Sequence, residues 1–258
     1  MLEFIPEPCV PYLVLTFNTI VFQIFRKLIQ RFSPRSIQIV LAEIIATLEL
    51  CTACAELGVV YEIHGYLGLG TALQLLCFWW CWVWVDAEAC PCGPLEECLF
   101  GNGLDSEVMK KLIGQGIGGA LTTFWITYIW SYHMTAEHEA LHTAAECQAG
   151  LQVHMAVGAL IEGIITFISR IIALQSTVWI PELQLSANAI VTTILVLAAT
   201  STTGGFFNPV LATALTLGCK GNTLVEHLVV YWIGCLVGGF MARIVYEARS
   251  QSEKYKEL

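Results

Sequence analysis

Seven long stretches of apolar residues, separated by short polar segments, divide the chain. They cover roughly 10–30, 37–61, 66–85, 111–132, 151–173, 186–203 and 228–247. A helix needs roughly 20 mainly apolar residues to cross the hydrocarbon core of a bilayer, and each stretch is near that length. The pattern therefore predicts an all-α membrane protein with seven spanning helices.

Two shorter apolar stretches, 91–100 and 208–218, each follow a tripeptide centred on proline. The tripeptides are Cys90-Pro91-Cys92 and Asn208-Pro209-Val210. Proline suits the first position of a helix, because its missing N–H would have no partner there. A helix too short to span is tolerated at membrane depth when it is buried in protein or lines water. We therefore expect two re-entrant half-helices that begin at the prolines.

Landmarks of the first half of the chain return in the second half at a nearly constant interval. The two tripeptides lie 118 residues apart, Glu43 and Glu162 lie 119 apart, and Gly114-x3-Gly118 returns 120 residues later as Gly234-x3-Gly238. Each half then holds two spans, a half-helix and a third span, and the second half enters from the opposite side. Such an inverted repeat with broken helices is typical of pores and transporters.

Basic residues predict the orientation of the chain in the membrane. If the first span runs from outside to inside, only Lys220 of the twelve Lys and Arg residues lies outside the cytosol, and the lumenal connection 133–150 carries none. The first span lacks the basic start of a signal sequence, so we expect an extra helix that is retained. The predicted units are the N-terminal helix with its basic loop, the first repeat with its lumenal loop, the second repeat, and a cytosolic tail. Their bounds are 1–36, 37–150, 151–248 and 249–258.

The composition agrees with a membrane protein and limits its partners. Charged residues make up 13% of the chain, against about 25% in soluble domains. The net charge of −9 offers no phosphate-binding face, so we expect the lipid bilayer and not a nucleic acid as a partner. Most of the eleven cysteines, Cys219 among them, lie in or beside apolar stretches and are expected to act as small hydrophobic residues. Only Cys147 and Cys9 are expected to be exposed to the lumen, and no disulfide framework is predicted.

The two half-helices have a chemistry that suits a neutral solute. In an inverted pair their N-terminal ends meet near the middle of the bilayer, each with unbonded N–H groups and about half a positive charge. Asn208 can cap its helix and also present an amide N–H to the pore. The expected result is a positive collar that repels cations and donates hydrogen bonds to a neutral molecule.

Two Asn-Pro-Ala-like boxes, each following a Glu-x3-Thr helix, resemble those of the aquaporins over about 37–247. The chain is most similar to the unorthodox group, the superaquaporins, whose first box is degenerate and which carry a cysteine nine residues beyond the second box, here Cys219. The resemblance implies a homotetramer of independent pores for water, glycerol or hydrogen peroxide, often in intracellular membranes, with no cofactor and no catalytic residue. It also implies that Glu43 and Glu162 brace the re-entrant loops.

The chain departs from the orthodox aquaporins at two places. Leu211 stands where those proteins have an arginine that narrows the outer mouth of the pore, and Cys90 replaces the first capping asparagine. A lost cation at the constriction leaves a wider, more apolar filter, and a thiol is a weak donor. We expect poorer selectivity for water than in an orthodox channel, which makes peroxide or glycerol at least as plausible a permeant. Glu96 and Glu97 on the first half-helix either reach cytosolic water or act as vestibule acids.

Other functions remain open from the sequence. A coupled secondary carrier also uses inverted repeats, and a degenerate first box is compatible with a non-conducting structural protein. His138-Glu139-Ala-Leu-His142 matches the zinc signature of metallopeptidases, but it lies in a lumenal loop, so a peptidase is the remote alternative and we expect no resident metal. Lys254 and Lys256 near the end of the chain resemble a retrieval signal for the endoplasmic reticulum. Another intracellular membrane or the plasma membrane is the alternative location.

Overall fold

A computed structural model describes the backbone of residues 6–85, 87–101, 103–179 and 183–256, and the side chains of these residues except 177–179 and 251–256. The described residues form α-helices joined by short turns, which confirms the predicted all-α membrane fold. The helices are α1 Val10–Phe32, α2 Arg35–Val83, α3 Cys92–Phe100, α4 Ser106–Trp130, α5 Ala136–Thr143, α6 Met155–Trp179, α7 Gln184–Ala199, α8 Pro209–Thr216, α9 Leu224–His227 and α10 Cys235–Lys256. A 3-10 turn at Glu7–Cys9 precedes α1, and a π-helical segment at Leu228–Gly234 joins α9 to α10.

Helix α2 contains two of the predicted spans. Its regular geometry breaks at Gly65, where φ is 63°, a conformation that glycine adopts without steric cost. Four helical stretches of the described chain are long and apolar enough to cross a membrane, namely Glu7–Phe32, Arg35–Val83, Met155–Ser176 and Leu224–Ser250. The two remaining predicted spans correspond to α4, which begins with charged residues, and to α7, which is apolar but shorter.

The repeat interval of the sequence also relates equivalent contacts between the packed helices. Helix α2 packs on α4 and, in the second half, α6 packs on α10. A Cβ at Gly118 would lie 2.7 Å from the carbonyl oxygen of Ile44, and a Cβ at Gly238 would collide with the carbonyl of Gly163. Ile44 and Gly163 lie 119 residues apart, and the two crossing glycines lie 120 apart. Both helix pairs therefore cross closely at equivalent positions, because no side chain separates their backbones.

The N-terminal helix α1 is attached to the repeat by buried polar contacts. The guanidinium of Arg26 donates to the Glu49 carboxylate on α2, with Nη1–Oε2 and Nη2–Oε1 distances of 2.5 and 3.3 Å. Nearer the start of α1, the indole N–H of Trp125 on α4 donates to Asn18 at 3.0 Å. Arg26, Glu49 and Asn18 are all buried. The contacts place α1 against both α2 and α4.

Two tryptophans also bind this buried carboxylate. The indole N–H groups of Trp79 and Trp84 donate to Glu49 at 3.0 and 3.1 Å. Trp80 is buried, whereas Trp82 is 72% exposed and suits the membrane interface. The sequence predicted Arg26 only as one of the basic residues on the cytosolic side, whereas its charge partner on the neighbouring helix holds it buried in the protein.

We expect Arg26→Met to destabilise the protein by about 3–5 kcal/mol, because it leaves the Glu49 carboxylate buried without a cation. The measurement is thermal unfolding of the purified protein in detergent. Lys27→Met is the matched control, since Lys27 is exposed one position further along the same helix. Arg26→Met combined with Glu49→Gln should recover part of the loss. Equal stability of the Arg26→Met and Lys27→Met variants would contradict the role of this ion pair.

Candidate functional site

Asn208 links the two broken segments of the chain. It is the N-cap of α8, and its Oδ1 accepts the backbone N–H groups of Val210 and Leu211 at 3.1 and 3.3 Å. Its Nδ2 donates to the carbonyl oxygen of Ala89 at 2.7 Å, across 119 residues of sequence. One side chain therefore caps the second half-helix and also contacts the residue immediately before the first proline box.

The first box begins its helix without such a cap. Pro91 occupies the N-cap position of α3, and no side chain forms a capping bond there. Cys90, half-buried, contributes its carbonyl, which accepts from the Gln115 amide at 3.3 Å, and Cys92 is buried. Pro209, by contrast, takes the first helical position of α8 directly after its cap. Both half-helices thus begin at a proline, but only in α8 does a side chain accept the N–H groups at the N-terminal end.

Two non-glycine residues with left-handed backbone precede the two half-helices. Ala89 has a φ of 52° and Phe207 a φ of 30°, and they lie 118 residues apart. This region is uncommon for residues with a side chain and costs of order 1–3 kcal/mol where it is strained. The surrounding contacts must hold both turns in place, and both have the same kind of support.

That support comes from two buried carboxylates. Glu43 on α2 accepts the backbone N–H groups of Glu88 and Ala89, both at 3.0 Å, and the Gln115 amide at 3.1 Å. Its oxygens therefore satisfy N–H donors of the turn before α3, one of them on the buried residue Ala89, where an unpaired N–H is costly.

Glu162 on α6 makes the equivalent contacts in the second half. It accepts the N–H groups of Phe206 and Phe207 at 3.2 and 2.6 Å and the hydroxyl of Thr203 at 2.5 Å. The Cys235 thiol lies 3.7 Å from the same carboxylate. Glu43 and Glu162, 119 residues apart in sequence, therefore make equivalent contacts with the turns before the two half-helices.

Val210 and Leu211 lie in the first turn of α8 and are buried, with 8% and 7% of their surfaces exposed. A Cβ at Gly119 of α4 would lie 2.9 Å from the Val210 side chain, so α8 packs tightly on α4 at this point. Leu211, which the sequence assigns to the filter, is therefore an apolar side chain enclosed by protein.

The two acids of α3 have different surroundings. Glu96 is 3% exposed, and Arg170 on α6 donates to it from Nε and Nη2 at 2.9 and 2.6 Å. Glu97 is exposed, and it lines a cavity of about 380 Å³ whose wall also includes the Glu96–Arg170 pair. Only Glu97 suits the interpretation as a solvated acid. Glu96 instead ties the first half-helix to α6 through a bidentate ion pair.

Cys147 and Cys219 form a disulfide bond across 72 residues, so the prediction of a small hydrophobic Cys219 without a disulfide is wrong. Helix α8 ends at Thr216, and Gly218, with a φ of 80°, turns the chain so that Cys219 leaves the apolar stretch. The N–H of Ala149 donates to the Lys220 carbonyl at 2.7 Å, and the N–H of Lys220 donates to the Cys147 carbonyl at 2.9 Å. The predicted lumenal loop is therefore joined to the end of the second half-helix.

The two histidines of the metallopeptidase-like signature have different partners. His138 is fully buried, and its Nε2 lies 2.9 Å from a carboxylate oxygen of Glu56 on α2, whereas Nδ1 of His142 lies 2.8 Å from Nε2 of His133. Within the described part of the chain, no group of three or more His, Cys, Asp and Glu side chains is arranged to hold a metal. Glu162, the residue at the spacing of a third ligand, binds the second broken segment instead. The peptidase arrangement is not assembled.

Sequence reasoning missed two buried acids and one half-buried arginine, although the two acids left a signal. Glu49 and Glu56 lie inside an apolar run seven residues apart, and are therefore on nearly the same face of α2. The indole N–H of Trp130 donates to Glu56 at 2.9 Å. The sequence gave no sign that Arg170, at the end of a predicted span, binds Glu96 on α3.

We expect the Cys147–Cys219 link to be found by mass spectrometry of the unreduced protein as a joined pair of peptides. Cys219→Ser should leave Cys147 free to react with a maleimide, because Cys147 is exposed. It should also destabilise the protein by about 2–5 kcal/mol, the usual cost of losing a native disulfide. Cys9→Ser, at an exposed free cysteine, is the control and should keep the link. Equal maleimide reaction of Cys147 with and without Cys219 would contradict the bond.

Comparison with known proteins supports the resemblance seen in the boxes. No family model matches the chain. Putative aquaporin-12A of Homo sapiens is 29% identical over 164 residues, which cover 63% of this chain and 56% of that protein. Aquaporin-11 of Milnesium tardigradum is 25% identical over 201 residues, 78% of this chain and 73% of that protein. Aquaporin-12 of Mus musculus is 28% identical over 207 residues, 77% and 71% of the two chains.

The aligned regions span just over half the length of the human relative and nearly three quarters of the other two. Each of these relatives carries the name of one of the unorthodox aquaporins, the group that the degenerate first box and Cys219 predict. The chain is thus similar, at 25–29% identity, to proteins named aquaporin-11 and aquaporin-12, which matches the unorthodox, superaquaporin group.

Proposed function

We propose that the chain forms a membrane channel for passive, bidirectional flux of water and small neutral solutes. The observation that carries this proposal is the Asn208 side chain, which caps α8 and binds the Ala89 carbonyl beside the first proline box. Two broken helices that start next to one another suit a narrow polar passage lined by their N-terminal ends. The names of the relatives support a channel rather than an enzyme.

The proposed path discriminates by hydrogen bonding and by charge. Ala89 takes one N–H of the Asn208 amide, and we assign the other to the permeant molecule. The N-terminal ends of the two half-helices add partial positive charge, which opposes cations. A neutral molecule with an oxygen acceptor passes, because a hydrogen bond from the Asn208 amide replaces those that the molecule made to water. A coupled carrier would need ionisable groups free to bind ions, but Glu43 and Glu162 are already occupied by loop N–H groups.

The permeant class that we propose includes glycerol and hydrogen peroxide beside water. The first box offers no capping amide, because a proline occupies the N-cap position of α3 and Cys90 precedes it. Leu211 places an apolar side chain where orthodox relatives have a cation, so we expect the filter to be wider, more apolar and less selective for water. We further propose a homotetramer in the endoplasmic reticulum membrane. The retrieval signal at Lys254 and Lys256 belongs to this proposal, and the side chains of both lysines lie outside the described residues.

We expect Asn208→Asp to lower water flux through proteoliposomes by roughly tenfold. The variant keeps the cap but replaces the amide donors by a carboxylate, and about 1.4 kcal/mol, the value of one buried hydrogen bond, corresponds to a factor of ten in rate. Stopped-flow light scattering measures the flux of water and glycerol, and a fluorescent indicator measures that of peroxide. Asn222→Asp, in the loop after α8, is the chemically matched control and should change nothing.

Two outcomes of this experiment would contradict different claims. Equal flux in the Asn208→Asp and wild-type proteins would remove Asn208 from the path. Flux of every tested solute by the wild-type protein no higher than that of empty liposomes would reject the channel itself.

We expect Leu211→Arg to lower the ratio of glycerol flux to water flux severalfold, because a longer charged side chain narrows the filter and favours the smaller molecule. Leu211→Met, which nearly conserves volume, is the control and should keep the ratio. The fluxes are measured in proteoliposomes with equal amounts of folded protein. An arginine enclosed by protein without water or a partner would prevent folding. A folded Leu211→Arg variant with an unchanged ratio would therefore show that residue 211 does not face the path.

A further inference from the structure

Two histidines converge on the predicted lumenal side of the molecule, outside the proline boxes. Nε2 of His133 and Nδ1 of His142 lie 2.8 Å apart, with ring centroids separated by 5.0 Å and ring planes inclined by 54°. His133 is exposed and His142 is half-buried, so solvent reaches the pair. A neutral imidazole has one N–H and one lone pair, so the two rings share a single proton between these nitrogens.

Each ring is mounted on a part of the backbone that is held in place. His133 follows α4, its N–H donates to the Trp130 carbonyl at 2.9 Å, and its φ of 47° directs the chain away from the helix. His142 lies in the last turn of α5, whose first turn is capped by Thr135 through the N–H of His138 at 3.1 Å.

Helix α5 is also anchored to the membrane-spanning part of the protein. The buried side chain of His138 contacts Glu56 on α2 at 2.9 Å, and Trp130, three residues before His133, donates to the same carboxylate at 2.9 Å. His133 and His142 therefore belong to elements that share one buried anchor. Ligands positioned in this way lose little conformational freedom when they bind an ion.

We propose that His133 and His142 together bind a divalent transition-metal ion, zinc or copper, at the lumenal surface. Imidazole nitrogens are favoured ligands of both metals. Zinc–nitrogen bonds of about 2.0–2.1 Å at a tetrahedral angle place two ligand nitrogens roughly 3.3 Å apart. The two rings reach that separation by opening about half an ångström from their hydrogen-bonded distance, when the metal takes the place of the shared proton. Water completes the coordination, since this site has two protein ligands.

The surroundings favour a cation at this place. The segment 133–150 contains no Lys or Arg and carries Glu137, Glu139 and Glu146. The nearby cation Lys220 is paired with Glu146. Acidic side chains without matching basic ones raise the local concentration of cations. The signature His138-Glu139-x-x-His142 therefore contributes only one of its two histidines, because His138 is buried against Glu56 and His133 takes its place.

Binding would connect the end of α4 to α5 and so steady the loop that carries Cys147. An ion that binds the folded protein and not the unfolded chain stabilises the fold. The bound metal is thus expected to raise the unfolding temperature of the wild-type protein. This consequence does not depend on what passes through the membrane, so the site and the channel are tested separately.

The experiment is a titration of the purified full chain in detergent with zinc chloride, after removal of metals by a chelator, in competition with a fluorescent zinc indicator. We expect one zinc per chain. Loss of an outer-shell partner alone costs about 10- to 100-fold in metal affinity, so His133→Ala and His142→Ala should each weaken binding at least that much. His154→Ala changes an exposed histidine outside the pair and is the matched control, with unchanged affinity expected.

Copper provides a second measurement that identifies the ligands. Electron paramagnetic resonance of the copper-loaded protein should show coupling to two nitrogens in the wild type and to one in either single variant. Absence of zinc and copper binding overturns the proposal, as does binding that persists in the His133→Ala/His142→Ala double variant. A folded His138→Gln variant that loses the metal while His133→Ala keeps it would assign the ion to the metallopeptidase-like signature and would also overturn the proposal.

Discussion

The geometry of both proline boxes depends on a buried carboxylate that accepts backbone N–H groups from the turn before each half-helix. A turn at membrane depth has no water to bond its N–H groups, and each of these turns also holds a non-glycine residue at positive φ. Glu43 and Glu162 supply the missing acceptors from neighbouring spans. Without them the loops would lose both their hydrogen bonds and their shape. The placement of Asn208 against Ala89 follows from this bracing.

The same helix that carries Glu43 uses two further buried acids to attach the elements outside the repeat. Glu49 binds Arg26 of α1 and the indoles of Trp79 and Trp84 at the end of its own helix and just beyond it, and Glu56 binds His138 of the loop helix α5. Each carboxylate therefore gains several charge-assisted hydrogen bonds that offset the cost of burial. The buried acids of helix α2 therefore attach the N-terminal helix, the turn before the first half-helix and the predicted lumenal loop.

Local patterns predicted the helices, the break near Gly65 and the equivalence of Glu43 and Glu162, because apolar length, proline and a fixed repeat interval are all readable along the chain. The partners of Arg26 and Glu96 could not be read in this way, since they depend on which helices become neighbours. Cys219 was misassigned because it directly follows an apolar stretch of the sequence. In the structure, helix α8 already ends at Thr216, three residues before it. An exposed Cys147 in a predicted lumenal loop was the available signal, as thiols on that side of a membrane commonly find a partner.

The repeat makes the two half-helices equivalent in sequence position, yet they are secured by different chemistry. The uncapped α3 is tied to α6 by the ion pair of Glu96 with Arg170, while the capped α8 is followed by a disulfide from Cys219 to Cys147. An inverted repeat directs the far ends of its half-helices to opposite sides of the membrane. A disulfide persists only on the oxidising side, whereas an ion pair is indifferent to redox conditions. The two half-helices are thus secured by different kinds of link, and the asymmetry of the two boxes extends along both of them.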